Sequence, residues 1–113
     1  MLDIDKLNEF GCDTSDGIKR CANNEMLYLR LINTVPSNQG FNGLYDSINN
    51  NDLEEAFKHA HGLKGILANL SITPILKPVE EITEHLRNKD NIDYNSYIKI
   101  IEEMRLKLEE LIK

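Results

Sequence analysis

The chain has 113 residues, 41% of them hydrophobic and 28% charged, which suits one domain with one core and leaves no room for a separate nucleotide-binding domain. Its net charge of −6 and pI near 5.0 argue against a nucleic-acid ligand, because that affinity rests on Lys and Arg neutralising phosphates. There is no long apolar run, and Asp3, Asp5, Glu9, Asp13 and Asp16 occupy the region where a signal sequence would be basic and then apolar, so no membrane association is expected. Cys12 and Cys21 lie in no CxxC and come without a secretory signal; they read as reduced packing residues of a cytoplasmic protein.

Ile4, Leu7 and Phe10 stand at helical spacing, and Gly11 follows where a helix would end, so residues 4–10 are expected to form a short cap helix. Another single turn can start at Ser15 or Asp16 and reach Cys21. Asn23 or Asn24 can then cap a longer helix through about Val35, with Leu27, Leu31 and Val35 as its buried seam and Tyr28 and Ile32 widening it. Pro36-Ser37-Asn38-Gln39-Gly40 is a connector rich in turn formers, and Phe41, Leu44, Tyr45 and Ile48 give residues 41–49 a helical stripe.

Asn49-Asn50-Asn51 breaks that segment. Asn51 can cap the next helix while Glu54 reaches back as in a capping box, and this helix runs from about Asp52 to Leu70. Thr73 reads as an N-cap with Pro74 at the first helical position; the helix then either starts near Pro78 or bends there, and continues through Val79, Ile82 and Leu86 to about Lys89. From about Asp93 to Lys113, Tyr94, Tyr97, Ile98, Ile101, Met104, Leu108 and Leu111 make the longest amphipathic pattern. No segment alternates with a two-residue period between hairpin turns. The expectation is an all-α single domain over residues 1–113, an up-and-down four-helix bundle with additional short N-terminal helices.

The chemistry concentrates in the helix around His61. At about 100° per residue, Leu53, Ala56, Phe57, Ala60, Leu63, Leu67 and Leu70 fall in an arc roughly 180–320° from His61, while Glu54, Lys58, Gly65 and Asn69 lie within roughly 80° of it. His61 should therefore be exposed. A helical side chain covers the turn before its own Cα, so residue 65 would roof over His61, and that residue is glycine. Lys64 leans the same way, so an anion attached to His61 would meet a positive charge. Gly62 and Gly65 each cost roughly 1 kcal/mol of helix propensity relative to alanine, which implies either close helix packing or access to the histidine.

Ala60-His61-Gly62-Leu63-Lys64-Gly65, followed by Ala68, Asn69 and Leu70, resembles the signature of the histidine-containing phosphotransfer (HPt) domain family, in which an exposed helical histidine is followed at +3 by lysine and at +4 by glycine. Upstream, Phe10-Gly11-Cys12-Asp13, Gly17-Ile18-Lys19-Arg20 and Glu25-Met26-Leu27-Tyr28 are similar to the family's N-terminal helices, so the resemblance spans nearly the whole chain. Gly62 departs from it where a small hydroxyl residue is common, as do Ser71 where a glycine usually ends the motif and Thr83 near an expected glutamate.

The resemblance implies a phosphohistidine carrier in a multistep two-component phosphorelay, without a nucleotide site or cofactor of its own. It assigns His61 as phosphoacceptor, Lys64 to charge stabilisation and Gly65 to steric access. The implied partners are a response-regulator receiver domain, which contributes an aspartate and Mg²⁺, and a hybrid sensor histidine kinase. Lys58, Gly62, Ala68 and Asn69 are the candidate docking residues, and an acidic single-core bundle with an accessible histidine leans towards a monomer. The alternative is a helical adaptor that binds receiver or kinase domains without phosphoryl chemistry.

Other residues read more plainly. Glu55 with His59, and Glu81 with His85, have the i, i+4 spacing of a chelating pair, but two ligands make no metal site, and His59 and His61 lie roughly 160° apart on a helix. Glu80, Glu81 and Glu84 read as a solvated face beside Lys77 and Arg87.

Overall fold

A computed structural model describes residues 2–113, and among them the chain is helical with no strand. The short helices are α1 (Ile4–Phe10), α2 (Thr14–Arg20) and α3 (Glu25–Thr34); the longer ones are α4 (Gln39–Asn49), α5 (Leu53–Asn69), α6 (Thr73–Arg87) and α7 (Tyr94–Ile112). α5 packs between α4 and α6, α6 against α7, and α7 touches α4, while α1 and α2 sit at the periphery against α7 and α3. Among the described residues no helix is long and apolar enough to cross a membrane.

Side-chain caps set most of the boundaries. Asp3, Asp13, Asn24, Asn38 and Asp93 each accept a hydrogen bond from an N–H of the turn they open, satisfying donors that have no partner inside the helix. The structure moves several expected starts. α2 begins at Thr14 behind the Asp13 cap, ahead of Ser15, and α4 begins at Gln39 inside the expected connector because Asn38 caps it. α5 is capped by Asp52, whose carboxylate takes the Glu55 N–H, and Asn51 turns with φ +58° instead. α6 starts at Thr73 after Ile72, one residue earlier than expected, and Pro74 fits its first turn. It runs on through the buried Pro78, so of the two expectations for that proline the helix start is ruled out.

The core is built from Tyr28, Ile32, Phe41, Leu44, Ala56, Ala60, Leu67, Ile75, Val79, Ile82, Ile101 and Leu108, each 0–1% exposed. On α3 the buried seam is Tyr28, Ile32 and Val35. Leu31, expected in that seam, is 39% exposed. Cys12 and Cys21 are buried and free, and burial pushes the Cys12 thiol up to about 12, which keeps it protonated and unreactive.

Two polar networks lock the elements together. Arg105 makes a paired contact with Glu102 (2.6 and 2.7 Å) and donates to the Pro36 carbonyl at 2.9 Å, and Tyr45 donates to Glu102 at 2.9 Å, joining α7 to α4 and to the connector after α3. At the far end, Ser71 donates to Asp16 at 2.6 Å, and Asp16 also receives Arg20 at 2.8 Å. The Arg105 guanidinium, helped by Tyr45, holds Glu102 below the ordinary 4.5, and the Ser71 hydroxyl, helped by Arg20, holds Asp16 below 3.8. Unfolding returns both groups to ordinary values, so the unfolded chain binds protons more readily. Their stabilisation is complete above those ordinary values and is lost as pH falls through the depressed ones. Thermal unfolding followed from neutral pH into acid should show a falling midpoint, and Arg105→Gln should shrink that fall; an identical slope in the two proteins would refute the assignment to Glu102.

Candidate functional site

α5 carries its apolar residues on one side, with Ala56, Ala60, Leu63 and Leu67 buried, and His61 is exposed on the other. The C-terminal end of the helix is fixed from outside. Tyr28 donates its hydroxyl to the Leu70 carbonyl at 2.9 Å, the Asp13 N–H donates to the Ser71 carbonyl at 3.0 Å, and Ser71 adopts φ +52°. That left-handed turn is the conformation glycine reaches most easily. Here serine takes it, with its hydroxyl held by Asp16. Thr83 on α6 is fully buried and donates to the Val79 carbonyl at 2.5 Å.

Gly62 and Gly65 settle one of the questions raised by their cost. A Cβ built on either meets nothing within 4 Å, so neither glycine serves the packing of a neighbouring helix. Gly17 shows the contrast: a Cβ there would lie 2.3 Å from the Tyr28 ring and 2.8 Å from the Leu70 carbonyl oxygen. The two glycines beside His61 leave space that faces outward.

The imidazole of His61 has no hydrogen bond or ion pair among the described residues. Its ring contact is with Phe57, one turn earlier, at 5.7 Å between centroids and 22° between planes. Phe57 is half-buried, and the guanidinium of Arg87 from α6 lies 4.9 Å from its ring centroid. Lys64 is half-buried and, among the described residues, has no carboxylate partner, so its charge is not neutralised. Lys58 is exposed and pairs with Glu55 at 3.3 Å. Ala68 is half-buried and Asn69 exposed.

Beside this face, Leu31, Thr34, Val35 and Asn38 from α3 and its following turn meet Ile66, Asn69 and Leu70 of α5 around an open groove of about 280 Å³. Leu31 and Ile66, 39% and 38% exposed, are its accessible apolar surface. The expected docking residues therefore divide: Asn69 joins the groove, Gly62 faces open space, and Lys58 and Ala68 do not line the groove.

The competing clusters do not assemble. The His59 ring lies against Gly43 of α4, where an added Cβ would come within 2.5 Å of it, and its approach to Glu55 is a loose 3.9 Å. His85 turns from Glu81 to Asp90, 2.8 Å away, and packs against Tyr97. Among the described residues no three His, Cys, Asp or Glu side chains are grouped to hold a metal ion. Glu80, Glu81 and Glu84 are exposed, with Glu84 paired to Arg87 at 3.0 Å.

Sequence reasoning missed what Phe57 and Arg87 do. Phe57 belongs to the apolar arc, yet its angle lies at the edge of that arc nearest His61, only about 40° away. Arg87 comes from a different helix, so no spacing in the sequence connects it to the histidine. Comparisons with protein-family models, with curated proteins and with solved structures find no match for this chain.

Proposed function

We propose that this chain is a phosphohistidine carrier in a two-component phosphorelay, taking a phosphoryl group from a receiver-domain aspartate onto His61 and passing it to another. The observation that carries the reading is the open space at Gly62 and Gly65 beside an exposed, unbonded imidazole with Lys64 one turn away. The glycines serve no neighbouring helix, so what remains for them is access. The closed ring of contacts α4 to α5 to α6 to α7 and back to α4 supports the matching architecture, an up-and-down four-helix bundle.

In the forward step the lone pair of the outer imidazole nitrogen attacks the phosphorus of the receiver's aspartyl phosphate. A nitrogen–phosphorus bond forms as the bond from phosphorus to the aspartate oxygen breaks, and the carboxylate leaves with that electron pair. The other ring nitrogen keeps its proton, and the cationic product can release it to water. Phosphoryl transfer asks the protein chiefly for positioning and charge stabilisation. Lys64 supplies a cation beside the group, and the receiver supplies the acidic pocket with Mg²⁺. The groove between Leu31 and Ile66, towards the C-terminal end of the same helix, supports apolar docking of a partner. A hybrid sensor histidine kinase in the cytoplasm is the upstream source.

Intact mass after incubation with phosphoramidate or a phosphorylated receiver domain tests this reading. Wild type should gain one acid-labile phosphoryl group and His61→Gln none, with the fold and receiver binding retained. Receiver binding by both proteins with no label on either would replace the carrier with the adaptor.

A further inference from the structure

His61 must present one ring nitrogen to an in-line attack, yet among the described residues no hydrogen bond fixes its imidazole. Metal ligands and catalytic histidines are ordinarily oriented through their second ring nitrogen. In this chain that device is absent among the described residues, and the ring contact with Phe57 is what remains to orient it. Exposed side chains move among rotamers on fast timescales, so without some restraint the attacking nitrogen would be misplaced much of the time.

The contact with Phe57 is near-parallel, 22° between planes, so it defines a tilt for the imidazole as well as a position. Phe57 is itself held. Arg87 lies over its ring, and Arg87 in turn pairs with Glu84, which accepts from its Nε at 3.0 Å. A line of contacts thus runs from Glu84 and Arg87 on α6 through Phe57 to His61 on α5. An aromatic neighbour at i−4 is an ordinary helical contact; bracing from a second helix turns it into a clamp. The outward side of His61, towards Gly65, is left clear.

We propose that Phe57, braced by Arg87, is a positioning residue for phosphoryl transfer at His61, setting the plane of the imidazole so that its outer nitrogen faces the incoming phosphorus. This rests on the carrier reading above. It predicts that a flat ring at residue 57 matters, not merely an apolar one, and that removing the cation at residue 87 loosens the stack without touching the histidine.

The test uses the full chain with Phe57→Leu, Phe57→Tyr and Arg87→Gln, and two readouts. Ring-current shifts of the His61 imidazole protons by NMR report the stack, and single-turnover transfer from a saturating phosphorylated receiver reports the chemistry. Phe57→Leu should lose the shift and slow transfer roughly ten- to a hundredfold. Phe57→Tyr should restore both, and Arg87→Gln should fall between. Restoration by tyrosine separates positioning from folding. If Phe57→Leu keeps the wild-type shifts, or transfers at the wild-type rate, the inference fails while the carrier reading stands. If wild type shows the stacked shifts but never accepts a phosphoryl group, the carrier reading fails and takes the role of Phe57 in transfer with it.

Discussion

Gly65→Gln should exchange phosphoryl groups with a receiver domain at least about a hundredfold more slowly than wild type while folding no less stably. The two halves of this expectation have separate causes. A Cβ at residue 65 meets nothing within 4 Å, and a straight-chain residue is a better helix former than glycine, so the fold should gain a few tenths of a kcal/mol or more. The same side chain leans towards the N-terminus and lies over His61, where it competes with the receiver for the space above the imidazole. Alanine at residues 62 and 65 together should add up to about 2 kcal/mol of stability, seen as a higher urea midpoint. Measuring transfer from a receiver and from phosphoramidate in parallel distinguishes the causes, since the small donor should be hindered much less. Wild-type rates with the receiver in Gly65→Gln would mean that access is not what the glycine provides.

Gly17→Ala carries the opposite expectation, a loss of about 3 kcal/mol, because the added methyl would collide with the Tyr28 ring and the Leu70 carbonyl oxygen. The Tyr28 ring is fully buried and hydrogen-bonded to that same carbonyl, so neither can step aside cheaply. The turn that ends α5 should shift with it. Urea denaturation gives the measurement, and an unchanged midpoint would show that α2 can move away from α3 at no cost. Gly43→Ala is the informative control: what it meets is the half-exposed imidazole of His59, which can swing out, so its penalty should be much smaller.

These glycines also show how far the sequence could be read. Among the described residues all seven helices lie within a few residues of where the chain's apolar spacing and cap residues put them, because a helix in a small domain must bury one stripe and the longer stripes repeat visibly. On α3 the spacing points to Leu27, Leu31 and Val35 as the seam with Tyr28 and Ile32 beside it, whereas Tyr28, Ile32 and Val35 are the buried residues and Leu31 is exposed, because neighbouring apolar stripes on one helix look alike until the packing partners are in place. The cap expected at Asn51 is instead Asp52, since either side chain can serve and Asn51 takes the left-handed turn. The exposure of His61 was legible from angles alone. Whether Gly62 and Gly65 faced a helix or open space was not, and Arg87 reaches Phe57 only through the packing of α6 on α5.

The two ends of α5 are held, by the Asp52 carboxylate at one and by Tyr28, Asp13 and Asp16 at the other, whereas its middle carries two glycines on the outer side. Helices ordinarily open from their ends inward, where hydrogen bonds are fewest. In α5 both ends have hydrogen-bond partners, and Leu63 and Leu67 hold its inner side in the core. Glycine is a poorer helix former than alanine by roughly 1 kcal/mol, so the turn bearing His61 has the weakest intrinsic preference for helix and keeps its form through what surrounds it in the chain.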